Sequence, residues 1–157
     1  MTDHEAPLEA TGRPEENMTA ADVMNLSPRT CSRFSRVIEA VLIFKDEDCG
    51  MVPVVEEGKA IGVVTDRDVA IALAEHDNLV NRPVAEIMST QLVSVAPETP
   101  LADVAAAFRR EAVRRLLVVD AGGRLVGLIG WKDVCGALPE RVVGRVVTSV
   151  VEQPSRQ

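Results

Sequence analysis

The apolar positions along the chain form a pattern that is written twice. Val37, Ala40, Val41 and Phe44 fall at i, i+3, i+4 and i+7, and Leu101, Val104, Ala105 and Phe108 repeat that spacing 64 positions later. Apolar residues so spaced make one face of an amphipathic helix. Either stripe alone is ordinary helix core; the recurrence, down to the Phe, is what informs. Ahead of each stripe Asp22-Val23-Met24 is echoed by Glu86-Ile87-Met88 at the same offset. Behind them the offset reads as 65, setting Met51-Val52-Pro53-Val54-Val55 against Leu116-Leu117-Val118-Val119-Asp120. Gly58-Lys59-Ala60-Ile61-Gly62 likewise faces Gly123-Arg124-Leu125-Val126-Gly127. Each stretch predicts an apolar strand, a tight turn and a second strand. Glu57-Gly58 and Gly122-Gly123 supply the positive-φ residues that hairpin turns favour. A short helix is expected after each hairpin, from near Asp66 and near Trp131.

The predicted unit is a short leader helix, a short strand, a helix, a hairpin and a closing helix, with copies over 19–75 and 83–138 and a polar linker at 76–82. A copy of about 55 residues is marginally stable alone. Two copies packed sheet against sheet bury each other's open faces. The expected fold class is therefore α/β in the mixed α+β sense, two tandem repeats forming a pseudo-two-fold pair. Residues 1–16 carry Asp3, Glu5, Glu9, Glu15 and Glu16 against Arg13, and read as a mobile acidic tail. Residues 139–157 include Val142, Val143, Val146, Val147, Val150 and Val151, a spacing that suggests an amphipathic C-terminal helix.

Composition narrows the function classes. A net charge of −7 argues against nucleic acid or an anionic membrane as the main partner, and 3% aromatics, with one Trp and no Tyr, is too few for a base-stacking surface. The N-terminus lacks the basic-then-apolar start of a signal peptide, and no apolar run reaches the roughly 20 residues of a membrane span. Cys31, Cys49 and Cys135 have no paired spacing, which points to a reducing compartment, and the protein reads as cytoplasmic. His4 and His76 are isolated, so no metal site is expected. No nucleophile–base set or phosphate-binding loop is present, which argues against an enzyme.

The tandem copies resemble a pair of CBS (cystathionine β-synthase-type) domains, the unit known as a Bateman module. The resemblance is carried by Asp22-Val23-Met24, Gly50-Met51-Val52-Pro53-Val54-Val55 and Gly62-Val63-Val64-Thr65-Asp66-Arg67-Asp68. The second copy supplies Glu86-Ile87-Met88, Leu116-Leu117-Val118-Val119-Asp120 and Gly127-Leu128-Ile129-Gly130-Trp131-Lys132-Asp133. It implies β-α-β-β-α units that pair through their sheets, dimerise again, and bind adenosine-containing ligands between copies. AMP, ADP or ATP, or S-adenosylmethionine, is then a regulatory ligand rather than a cofactor. A homodimer and an unidentified regulated protein are the implied partners. The different-class alternative is a ligand-free dimerisation or protein-interaction scaffold.

By the same resemblance Asp68 accepts hydrogen bonds from a ribose diol and Thr65 contacts the phosphate or ribose. A carboxylate offers two acceptor oxygens to a vicinal diol. Thr-x-x-Asp opening a helix is also a capping box, in which hydroxyl and acid satisfy the first turn; the two roles are compatible. The second copy keeps Asp133 but has Gly130 in place of Thr65, so its site is expected to be weaker. The resemblance also implies that Arg114 and Arg115, just before the hairpin strand, turn toward the cleft as candidate phosphate ligands, and a planar guanidinium can bond phosphate bidentately. Their counterparts in copy one read as Cys49 and Gly50. Val63, Leu92, Val93 and Leu116 are candidate walls for the adenine.

Overall fold

A computed structural model describes residues 17–138. The acidic tail and the Val-rich C-terminal segment lie outside the described residues. Copy one comprises α1 (Ala20–Val23), α2 (Val37–Glu47), the hairpin β1 (Met51–Glu56) and β2 (Lys59–Thr65), and α3 (Asp66–Glu75). Copy two comprises a 3-10 turn at Val84–Glu86, β3 (Ser94–Val95), α4 (Leu101–Glu111), β4 (Arg115–Val119), β5 (Leu125–Gly130) and α5 (Trp131–Cys135). β4 runs parallel to β3 and antiparallel to β5. In copy one the counterpart of β3 shrinks to one parallel bridge, Cys31 to Val54.

α4 buries its predicted stripe, Leu101, Val104, Ala105 and Phe108, together with Ala107, whereas in α2 the predicted Val41 and Phe44 are only partly buried and Ile43 is buried beside Val37 and Ala40. Both end at a left-handed residue, Asp48 (φ 48°) and Ala112 (φ 52°), 64 positions apart. The register then corrects the alignment of the strands. Val54 pairs with Gly62 and Val118 with Gly127, and each ladder has its bulge just after, at Val54/Val55 and Val118/Val119. The offset of 64 thus persists through β1 and β4, and the extra residue sits in the second hairpin turn. An insertion inside a strand would turn every following side chain to the opposite face; in an exposed turn it disturbs nothing. The corrected counterparts of Arg114 and Arg115 are therefore Gly50 and Met51, not Cys49 and Gly50.

Each copy is completed by the other's leader. Asn25 exchanges both backbone hydrogen bonds with Leu128 of β5, at 2.8 and 3.1 Å, and Ser89 does the same with Val63 of β2, at 2.9 and 2.8 Å. The Met18 carbonyl accepts from the Leu101 N–H that opens α4, and the Arg82 carbonyl accepts from the Val37 N–H that opens α2. Ala20 is fully buried in the copy-two core, and Val84 in the copy-one core. A third cluster lies between the sheets, with Met51, Val63 and Leu117 buried against Leu92, Val119, Leu125 and Leu128. Full burial of a Val or Leu is worth about 1.5–3 kcal/mol, so this layer is a substantial reason for the copies to stay paired.

Close approach of the leaders depends on two glycines. A Cβ on Gly127 would stand 2.5 Å from Met24 Sδ and 3.0 Å from the Asn25 carbonyl oxygen. On Gly62 it would stand 2.7 Å from Met88 Sδ and 3.0 Å from the Ser89 carbonyl oxygen. The thioether can move but the backbone oxygen is held by the ladder, so Gly62→Ala and Gly127→Ala should each destabilise the fold by about 1–3 kcal/mol. Urea unfolding should show a lower midpoint for both; wild-type midpoints would show that the leaders are not held as described.

Candidate functional site

The two hairpin turns meet at one end of the sheet pair, where the Leu125 N–H donates to the Gly58 carbonyl at 3.0 Å. At the other end, where β1 and β4 begin and β2 and β5 finish, the copies part around a cleft of about 1150 Å³. That exceeds the roughly 300–1,000 Å³ of an ordinary small-molecule site, as expected of a cleft shared by two repeats. Met51 and Leu128, from the layer between the sheets, reach its lining. Ile43, Pro28 and Trp131 add further apolar surface.

Thr65, Asp68, Arg114, Arg115, Gly130 and Asp133 all line this cleft. Val63, Leu92, Val93 and Leu116, the expected adenine walls, are not among its lining residues. Val63 and Leu92 belong to the layer between the sheets, and Leu116 and Val93 to the copy-two core. Val63 and Leu116 are fully buried there, whereas Leu92 and Val93, in the segment before β3, are partly buried. Pro28 and Arg29, 64 positions before Leu92 and Val93, do reach the cleft. Trp131, the lone Trp, was passed over, because its register position is that of the polar Asp66.

The local geometry at Thr65 is a complete capping box. Thr65 Oγ1 accepts from the Asp68 N–H at 3.1 Å, and Asp68 Oδ2 accepts from the Thr65 N–H at 2.9 Å. This fixes the carboxylate at the start of α3 and leaves Oδ1 with no hydrogen bond among the described residues. Thr65 is the one polar side chain in the buried core of the described residues, at 4% exposure. Copy two keeps half the arrangement: Asp133 Oδ2 accepts from the Gly130 N–H at 2.7 Å. The second hydrogen bond needs a hydroxyl that Gly130 lacks.

Charge is unevenly divided across the cleft. The copy-one side carries Arg29 and Arg67 against Glu47, Asp48, Asp66 and Asp68. Arg29 is itself tied to Asp46 at 3.3 Å and Glu47 at 3.8 Å. The copy-two side carries Arg114, Arg115 and Lys132 against Asp133. Among the described residues none of those three cations makes a salt bridge. Cys49 also lines the cleft, half-buried, with Sγ 3.6 Å from the Met51 carbonyl. Cys31 is buried in the copy-one core, and burial pushes its thiol pKa up. No group of three or more metal-ligating side chains occurs among the described residues. None of the described helices is long and apolar enough to cross a membrane.

Two repeats, each a β-hairpin with flanking helices, interlock through their leaders and share a polar cleft, which defines a paired-repeat module. The chain belongs to the CBS domain family, whose model matches residues 20–75 and 84–140. It is 32% identical over 133 residues to the CBS domain-containing protein YhcV of Bacillus subtilis, covering 84% of this chain and 94% of that one. The CBS domain pair of protein MJ0100, solved with 5′-methylthioadenosine and S-adenosyl-L-methionine, superposes with a TM-score of 0.67 at 26% identity, covering 76% of this chain and 98% of that one. CBSX2, solved in complex with AMP, gives a TM-score of 0.67 at 25% identity, covering 76% and 94%.

The capping box makes a stability prediction independent of any ligand. Thr65→Ala removes the hydroxyl from the part-buried Asp68 N–H and should cost about 0.5–2 kcal/mol, while Thr65→Ser should retain most of it. Thermal unfolding of the two variants checks this; equal losses would show that the methyl group, not the cap, is what matters.

Proposed function

We propose that the cleft binds an adenosine-containing ligand, an adenine nucleotide such as AMP, ADP or ATP before S-adenosylmethionine, and that binding regulates an associated protein. The observation that carries this reading is the convergence of Thr65 and Asp68 from copy one with Arg114 and Arg115 from copy two on one cleft. Asp68, anchored through Oδ2, has Oδ1 available for a ribose hydroxyl. The uncommitted cations of copy two suit the phosphates. The adenosine ligands of the CBS pair of MJ0100 and of CBSX2 support the same ligand class. An anion that draws on both copies stabilises the arrangement in which they approach, and that differential affinity is the means of signalling. The Asp133 half is the weaker site, because it lacks the hydroxyl of Thr65.

The same reading places the protein in the cytoplasm as a homodimer. α2 exposes Leu42 and α3 exposes Ile71 and Leu73, at 48, 47 and 66%. These outward apolar side chains also favour the second reading, a scaffold that associates without ligand.

A thermal-shift series with adenosine, AMP, ADP, ATP and S-adenosylmethionine separates the two. A ligand at one hundred times its Kd adds about 2.7 kcal/mol of stability. Asp68→Ala removes a charge-assisted acceptor worth roughly 1.5–3 kcal/mol and should abolish the shift, whereas Asp133→Ala should reduce it partly or not at all. Absence of any shift in wild-type protein at millimolar ligand would leave the scaffold; a larger loss in Asp133→Ala would reverse the assignment of the primary half.

A further inference from the structure

Gly130 and Arg115 are paired across β4 and β5. Their counterparts in copy one are Thr65 and Met51, paired across β1 and β2. The exchange is coordinated in volume and in charge. A Cβ on Gly130 would lie 3.3 Å from Arg115 Nη1 and 3.5 Å from Asp133 Oδ2. The guanidinium therefore occupies the space above Gly130, on the side where a Thr at this position would start its side chain. In copy one the long partner is uncharged: Met51 is 4% exposed and packs between the sheets. Arg115 is instead half-buried, lines the cleft, and has no carboxylate within 4.0 Å among the described residues.

We infer that Gly130 is a positioning residue for Arg115, and that the pair makes the copy-two half of the cleft select the phosphate group of its ligand. The missing hydroxyl at Gly130 is then a consequence of clearing room for a guanidinium rather than decay of a second copy of the Thr65 site. A partly buried, unpaired guanidinium is incompletely solvated, and a phosphate satisfies its planar donor fork with two parallel hydrogen bonds. Neutral adenosine offers that fork nothing equivalent. The inference rests on the reading that the cleft takes an adenosine phosphate, and adds which residues set the preference for the phosphorylated form.

The test is the ratio of ADP to adenosine affinity, measured by titration calorimetry on the full chain for wild type, Arg115→Met, Gly130→Thr and the double variant, which rebuilds the copy-one pair. Wild type should prefer ADP. Arg115→Met should lower the ratio roughly tenfold or more, with adenosine affinity little changed. Gly130→Thr should lower it similarly by displacing the guanidinium, and the double variant should be no worse than Arg115→Met alone. Unchanged preference in Gly130→Thr, or losses that add in the double variant, would overturn the positioning role. Should Gly130→Thr fail to fold, Gly130→Ala, which adds only the Cβ, is read by the same ratio; it should lower the ratio, and an unchanged ratio would overturn the role. Wild-type binding of adenosine without preference for ADP would overturn this inference while leaving the cleft's ligand class standing. Binding of neither ligand would overturn both.

Discussion

The structure depends on a reciprocal exchange of leaders. Asn25 closes the open edge of β5 and Ser89 that of β2, each with two backbone hydrogen bonds to the other copy. An unpaired strand edge is both a lost set of hydrogen bonds and an aggregation hazard. Here neither copy can cover its own. Met24 over Gly127 and Met88 over Gly62 then fix how closely each leader approaches. The contacts at the starts of α2 and α4 follow, since the carbonyls of Arg82 and Met18 reach those helices only if the leaders cross. Pseudo-symmetry is thus a requirement of hydrogen bonding and close packing, not only a trace of duplication.

That exchange also creates the cleft. With leaders crossed and hairpin turns in contact at the far end, the termini of β2 and β5 are held on opposite walls of one opening. Thr65 and Asp68 face residues of copy two without any loop having to order. The walls are alike in backbone and unlike in charge. Acids prevail on the copy-one wall and cations on the copy-two wall, so a ligand with a neutral hydroxyl-bearing part and an anionic part has one favoured direction.

Much of this was legible in the sequence because the information repeats. The α4 stripe, the positive-φ turn residues Glu57, Gly58 and Gly123 and the Thr65–Asp68 spacing appear where periodicity and turn chemistry place them, whereas Gly122 does not take positive φ. The cap at Thr65 was legible as one of two compatible roles. What failed did so for physical reasons. Strand register was misjudged by one because a Val-rich run such as Met51–Val55 matches Leu116–Asp120 as well as it matches Arg115–Val119. Only the bulge distinguishes them, and a bulge has no local sequence signal here. The packing of Val63, Leu92, Val93 and Leu116 in the cores was not legible, because an apolar side chain near a cleft suits packing and ligand equally. The crossing of the leaders left only a weak mark: a Gly within the second strand of each hairpin, at both 62 and 127.

The central claim is that two interlocked copies present one cleft, entered from both walls by a single ligand. Amide NMR of the full chain titrated with ADP addresses it directly. The account predicts that the amides of Thr65, Asp68, Arg115, Gly130 and Asp133 shift together along one binding curve, with Gly58 and Gly123 at the opposite end of the sheets unaffected. Shifts confined to one copy, or separate curves for the two walls, would contradict it.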